Sequence, residues 1–121
     1  MTAVEAGTTP GLSVLRRPGL TIAMLKGDLD LATVPALRER LFDLLGLGVR
    51  LVIVDLSGVS FCDTSGLAML IGMQRRARLR HITVRLAAPR PLVTELLRTT
   101  GLDRRFTICA TLSSALPAEA A

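Results

Sequence analysis

The chain has 121 residues, enough for one ordinary domain, and 50% of them are hydrophobic against 21% charged, which excludes a disordered chain. Lys and Arg number 15 against 10 Asp and Glu, a formal net charge of +5. Three Phe with no Trp and no Tyr exclude a single-stranded nucleic-acid binder built on stacked rings. Backbone phosphate, anionic lipid and acidic protein remain open as partners of a basic chain.

Residues 1–11 are small and polar, end in Pro10-Gly11, and read as a flexible N-terminal tail. Residues 117–121 read as a short C-terminal tail, leaving 12–116 as the domain. Two strand-like runs, Leu12 to Arg17 and Leu20 to Leu25, flank Pro18-Gly19 and predict a hairpin. Thr33 opens a helical stretch. Its hydroxyl suits the free amides of a first turn, Pro35 fits that turn, and Leu37, Leu41, Leu44 and Leu45 follow at helical spacing until Gly46 and Gly48 stop it.

Leu51-Val-Ile-Val54 is a continuous apolar run, the mark of a strand buried on both faces, with Asp55 at its end and a short loop after it. A second helix runs from Ser65 to about Arg78, with Leu67, Leu70 and Ile71 on one face. A strand from Ile82 to Ala87 comes next, then a helix from about Pro91 to Thr99, a strand from Phe106 to Cys109 and a short helix from Ser113 to Leu116. The order β-β-α-β-α-β-α-β-α predicts an α/β fold, a mixed central sheet with helices packed on it.

Cys62 and Cys109 are far apart in sequence and lie outside any C-x-x-C pattern, and His81 is the one histidine. This set makes no metal site of ordinary ligand count, and the two cysteines read as buried free thiols in a reducing compartment. The N-terminus has neither a basic nor an apolar leader region, and the longest apolar run, Leu67 to Met73, is far too short to span a bilayer. The expected setting is therefore the cytoplasm, away from membranes.

The stretch that carries chemistry is Asp63-Thr64-Ser65-Gly66, placed where a helix must begin. Asp, Thr and Ser satisfy a helix's first free amides, so the plain reading is a polar cap. The same place tolerates phosphate, because free N–H groups and the positive end of the helix dipole meet there. A hydroxyl at that position is a ready phosphoryl acceptor. Esterifying it would add about −1.5 to −2 charges beside Asp63 and toward Asp28 and Asp30.

This stretch resembles the signature of the STAS domain, shared by sulphate transporters and bacterial anti-sigma factor antagonists: an Asp, two hydroxyl residues and Gly-Leu, here Asp63 to Leu67. Two further elements match in order. Gly27-Asp28-Leu29-Asp30 resembles the family's turn before the first helix. Leu96-Leu97-Arg98-Thr99-Thr100-Gly101-Leu102 resembles its late helix ending in Gly-Leu. The resemblance covers roughly residues 12–116.

It implies an anti-sigma factor antagonist, a binding module that is not an enzyme and needs no cofactor or metal. Its implied partner is an anti-sigma factor that is also a serine/threonine kinase, and binding that partner frees a sigma factor. The kinase is expected to phosphorylate Thr64 and end the complex, and a metal-dependent serine/threonine phosphatase to restore it. The partner-binding residues carried over by position are Asp30, Thr33, Asp63, Thr64, Ser65 and Gly66. The chain departs from the family pattern in having Thr64 where most single-domain antagonists have Ser, in the apolar Leu31 after Asp30, and in Arg78-Leu-Arg-His81, which lacks the glycines common there.

Other readings stay in view. A scaffold component of a stress-sensing assembly is the rival within the same fold. A receiver-type phospho-accepting Asp55 is disfavoured, because the first two strands bring Arg16, Arg17 and Lys26 where that chemistry needs carboxylates. Arg75, Arg76, Arg78, Arg80, Arg85 and Arg90 form an acid-free window that reads as a solvated face at the far end of the second helix, with an acidic protein and then nucleic acid or lipid as further options. His81 reads as a turn residue, Met69 and Met73 as core, and Phe61 as a core anchor for the loop before Asp63.

Overall fold

The computed structural model describes residues 3–6 and 11–118, and its frame is a six-stranded sheet in the spatial order β1 to β6. The strands are β1 (Ala3–Ala6), β2 (Leu12–Arg17), β3 (Leu20–Leu29), β4 (Leu51–Cys62), β5 (Thr83–Ala87) and β6 (Thr107–Cys109). The helices are α1 (Val34–Asp43), α2 (Thr64–Leu79), α3 (Pro91–Thr99) and α4 (Leu112–Ala115), with a 3₁₀ turn over Leu102–Arg104. β1, β2 and β3 pair antiparallel, and β3 to β6 pair parallel. The mixed α/β sheet and the hairpin are as the sequence implies, with Arg17 opposite Leu20 across Pro18-Gly19.

Ala3–Ala6 lies within the stretch expected to be a tail, yet its backbone pairs with Ser13 to Arg16 of β2. The outer edge of β2 carries unpaired N–H and C=O groups, and an added strand satisfies them. Residues 1–2, 7–10 and 119–121, the rest of the expected tails, lie outside the described residues.

Alternation along the central strands sorts their side chains between two faces. Ala23, Leu25, Val52, Val54, Leu56, Val84 and Leu86 point to the side packed by α1, α2 and α3, where Leu37, Leu41, Leu67, Leu70, Met73, Val93 and Leu97 complete the main core. Leu20, Ile22, Leu51, Ile53 and Ala87 point to the other side, covered by Ala115 with Leu112 and Leu116. Leu51 to Val54 is thus buried on both faces as expected, and Met69 and Met73 are core residues.

The largest departure from the sequence reading is β4, which continues past Asp55 to Cys62. Between the pairs Met24–Asp55 and Lys26–Gly58 the register shifts, so β4 spends two residues, Leu56 and Ser57, against Leu25 alone. This is a β-bulge. Asp55 steadies it by accepting the Ser57 N–H at 3.0 Å on Oδ1. Gly58 permits it, because a Cβ there would stand 2.8 Å from the Leu25 carbonyl oxygen and 3.2 Å from Lys26 Cα. Ser57-Gly58, which reads as a loop, is therefore a bulged strand that carries the chain directly to the start of α2.

Candidate functional site

The site is built where the ends of β3 and β4 meet the first turns of α1 and α2. β3 and β4 run in parallel to the pairs Asp28–Phe61 and Leu29–Cys62. The Asp63 N–H then donates to the Leu29 carbonyl at 3.0 Å, docking the mouth of α2 onto the Gly27-Asp28-Leu29-Asp30 turn. Two sequence elements more than 30 residues apart thus form one surface.

Asp63 is the N-cap of α2 in extended conformation, and its Oδ1 accepts from Ser65 N at 2.7 Å and Gly66 N at 3.3 Å. Two of the helix's orphan donors are satisfied by one carboxylate, which also lies at the positive end of the dipole. Thr64 takes the first helical position with an exposed side chain, whereas Ser65 is half-buried and Gly66 buried. Gly66 has a packing role. A Cβ there would stand 2.7 Å from Cys62 Sγ and 2.8 Å from Leu29 Cβ, so only glycine lets α2 sit this close to the end of β3.

The second half of the site is a closed hydrogen-bond knot. Asp30 Oδ1 accepts from Ala32 N at 2.9 Å and Thr33 N at 3.1 Å. Thr33 Oγ1 accepts from Asp30 N at 3.0 Å and donates to the Asp28 carbonyl at 2.8 Å. Thr33 is the N-cap of α1, but its hydroxyl makes no cap bond to that helix. The expected cap is corrected: the hydroxyl turns back onto the turn, and Asp30 and Thr33 hold one another in place. All six carried-over positions, Asp30, Thr33, Asp63, Thr64, Ser65 and Gly66, therefore belong to one end of the fold.

Sequence reasoning missed the apolar flank of this end. Phe61 was expected to anchor the core, but it is 46% exposed, because its β4 neighbour Cys62 takes the inward position opposite Leu29. Phe61 and Cys62 line one wall of a groove of about 340 Å³ whose other wall is Leu92, Val93 and Leu96 of α3, with Glu95 and Thr99 at its polar margin. Leu92 is 64% exposed, and Leu31, beside Asp30, is 79% exposed. The available signal was in α3, where Leu92 and Leu96 add a second apolar row beside the buried pair Val93 and Leu97. Burial and the neighbouring Asp63 push the Cys62 thiol up to about 11, which makes it a poor nucleophile. Both cysteines are free, Cys62 buried and Cys109 half-buried.

Among the described residues no three His, Cys, Asp or Glu side chains gather as a metal site requires, and no helix is long and apolar enough to cross a membrane.

The STAS domain family model matches residues 12–115. This chain is a member of the STAS domain family. It is 25% identical over 105 residues to the anti-sigma-F factor antagonist RsfB of Mycobacterium tuberculosis, covering 87% of this chain and 85% of that protein. Among solved structures, an anti-sigma factor antagonist from Mycobacterium paratuberculosis aligns with a TM-score of 0.76 at 24% identity, over 95% of this chain and 89% of its own. SpoIIAA in its unphosphorylated form aligns at 0.70 and 22% identity, over 95% and 92%. The phosphorylated form of SpoIIAA from Bacillus aligns at 0.64 and 22%, over 95% and 96%. These likenesses agree with the strand order and with the mixed sheet of this STAS chain.

The arginine window does not form the single far-end face that the sequence suggests. Arg80 donates to the Leu45 carbonyl at 2.5 Å, Arg85 to the Ala115 carbonyl at 2.7 Å and Arg90 Nε to the Ser57 carbonyl at 2.7 Å. The Arg76 guanidinium lies over the Phe42 ring, 5.0 Å from its centroid. Arg90 stands at the β4 bulge on the Thr64 side of the sheet, because β5 carries the chain back along the direction of β4. His81 is a turn residue, as expected, in the left-handed region with φ 59.

Proposed function

We propose that this STAS chain is an anti-sigma factor antagonist whose binding surface is the α2 mouth and its apolar flank. Its partner is an anti-sigma factor of the serine/threonine kinase type, and its setting is the cytoplasm. The chain acts by binding, with no catalysis of its own. The observation that carries this reading is Thr64, an exposed hydroxyl at the first position of a helix whose neighbouring amides are already taken by Asp63. The curated relative named an anti-sigma-F factor antagonist supports the class of partner, and the relative solved in a phosphorylated form supports the switch.

In the switching step, Thr64 Oγ1 attacks the γ-phosphorus of ATP held by the kinase. The new O–P bond forms as the bond to ADP breaks, and the hydroxyl proton leaves to a base of the kinase. The product carries about −1.5 to −2 further charges next to Asp63, at the end of the fold where Asp28 pairs with Phe61 and Phe61 faces Leu92 across the groove. A dianion facing an apolar partner surface must lose water without compensation, so the complex dissociates. A metal-dependent serine/threonine phosphatase then hydrolyses the ester and regenerates Thr64.

The test is to incubate the chain with candidate anti-sigma kinases and ATP, map the phosphate by mass spectrometry, and compare wild type with Thr64→Glu in pull-downs. The expected result is phosphate on Thr64 and loss of binding in the Glu variant. Modification confined to Ser65, or a Thr64→Glu chain that binds as wild type does, overturns the proposal. A large homomeric particle in size-exclusion chromatography would favour the stress-assembly scaffold instead.

A further inference from the structure

A second concave surface lies at the opposite end of α2, about 20 Å from Thr64 along the helix axis at 1.5 Å per residue. It is a groove of about 490 Å³ between the last turns of α2, the turn into β5 and the start of β6, lined by Gln74, Arg78, His81, Thr83, Arg105 and Thr107 together with Ile82 and Val84. Its charged lining is basic, and no carboxylate contributes to it. The two guanidiniums come from different elements that are fastened together: Gln74 Nε2 donates to the Arg105 carbonyl at 2.6 Å. Gln74 lies one helical turn before Arg78 on the same face of α2, so the bond that pins the Arg105 segment also sets it beside Arg78.

We propose that this groove binds a small phosphate-bearing anion, with Arg78 and Arg105 as its two charge-bearing walls and the Thr83 and Thr107 hydroxyls as neutral donors. Guanidinium forks match phosphate oxygens in geometry and charge. The Gln74 bond fixes the backbone that carries Arg105 relative to α2, so binding has only the two exposed side chains left to order. The volume falls in the range of small-molecule sites.

The surrounding arginines argue against an extended polyanion. Arg76, Arg80 and Arg85 have their guanidiniums turned to Phe42, the Leu45 carbonyl and the Ala115 carbonyl, which leaves Arg78 and Arg105 as the arginines that line the groove. The site is independent of the Thr64 surface, and its ligand can be bound whether or not the antagonist reading holds.

Isothermal titration calorimetry of the full chain with sodium pyrophosphate, at low and at 0.15 M salt, is the test, alongside Arg78→Ala, Arg105→Ala and the control Arg75→Ala. Arg75 is exposed on α2 outside the groove. The expected result is saturable 1:1 binding that weakens about tenfold in each groove variant, the loss of one charge-assisted contact, and changes less than twofold in the control. A parallel titration with a short DNA duplex separates the sources of phosphate. Absence of saturable pyrophosphate binding overturns the proposal, as does an equal loss in Arg75→Ala. Binding to duplex alone, with a steep salt dependence, likewise overturns it in favour of a nucleic-acid surface.

Discussion

Gly66→Ala probes the contact that holds the candidate site together. An alanine inside a helix ordinarily stabilises relative to glycine by about 1 kcal/mol. Here the new methyl would stand 2.7 Å from Cys62 Sγ and 2.8 Å from Leu29 Cβ, with the Leu29 carbonyl oxygen at 3.2 Å. Leu29 is 1% exposed and tied to β4, so its Cβ cannot swing aside, whereas the Cys62 thiol, which also lines the groove, can relieve only its own contact. Overpacking costs about 1–3 kcal/mol; two contacts below 3.0 Å place this one in the upper part of that range, about 2–3 kcal/mol, so the sign reverses and the variant should lose about 1–2 kcal/mol net. For a chain of this size that is a fall in Tm of roughly 3–10 °C, read by thermal unfolding followed by circular dichroism.

The companion experiment is a double-mutant cycle with Cys62→Ala, which removes one of the two close contacts. The double variant should be more stable than the sum of the single effects by about 0.5–1 kcal/mol, with Leu29 preventing full recovery. A Gly66→Ala chain as stable as wild type, or a strictly additive cycle, would refute the packing argument and leave Gly66 as an ordinary helix glycine.

Asp63→Ala should cost about 1–2 kcal/mol through loss of the bonds to Ser65 N and Gly66 N, while Asp63→Asn retains most of the stability; urea denaturation of both variants checks this order. Cys62 has its folded thiol raised to about 11 from 9.0 by burial and by Asp63. The folded state therefore holds a proton that the unfolded chain releases, and stability from this group is full below pH 9 and falls between about pH 9 and 11. Denaturation across that window should show a steeper alkaline decline in wild type than in Cys62→Ala; parallel curves would contradict it.

The elements legible in the sequence are those whose local signals agree with their tertiary surroundings. Pro18-Gly19 between two strand-like runs, the leucines of α1 and the amphipathic pattern of α3 each report their own structure. β4 beyond Asp55 was hidden because a bulge is read from the partner strand: nothing in Ser57-Gly58 alone says that Leu25 faces two residues. The same bulge misled the placement of Phe61, whose outward direction depends on register shifts that accumulate through Lys26 and Asp28. The sequence places Thr33 at the start of α1 but does not reveal its bond, because Asp30, three residues earlier, competes for its hydroxyl. The residues Asp63 to Gly66 were legible as a unit, since a cap, an exposed hydroxyl and a glycine at helix spacing encode the same local geometry. The groove wall on α3 was not, because only the fold brings it to Cys62.

The apolar flank changes how a phosphate at Thr64 would act. The carboxylates of Asp28, Asp30 and Asp63 repel it, but between solvent-exposed charges such terms are about 1 kcal/mol each at 4 Å and are screened by salt. Desolvating a dianion beside Phe61 and Leu92 is opposed by several kcal/mol per ion, a term that salt hardly touches. If repulsion dominated, a phosphorylated chain would regain its partner at 0.5 M salt. If desolvation dominates, as the exposed apolar side chains argue, it stays unbound there, while Phe61→Ala or Leu92→Ala weakens the unmodified complex. On the proposed reading, a single phosphate at Thr64 would then suffice, because the exposed hydrophobic side chains at this end of the fold set the desolvation cost.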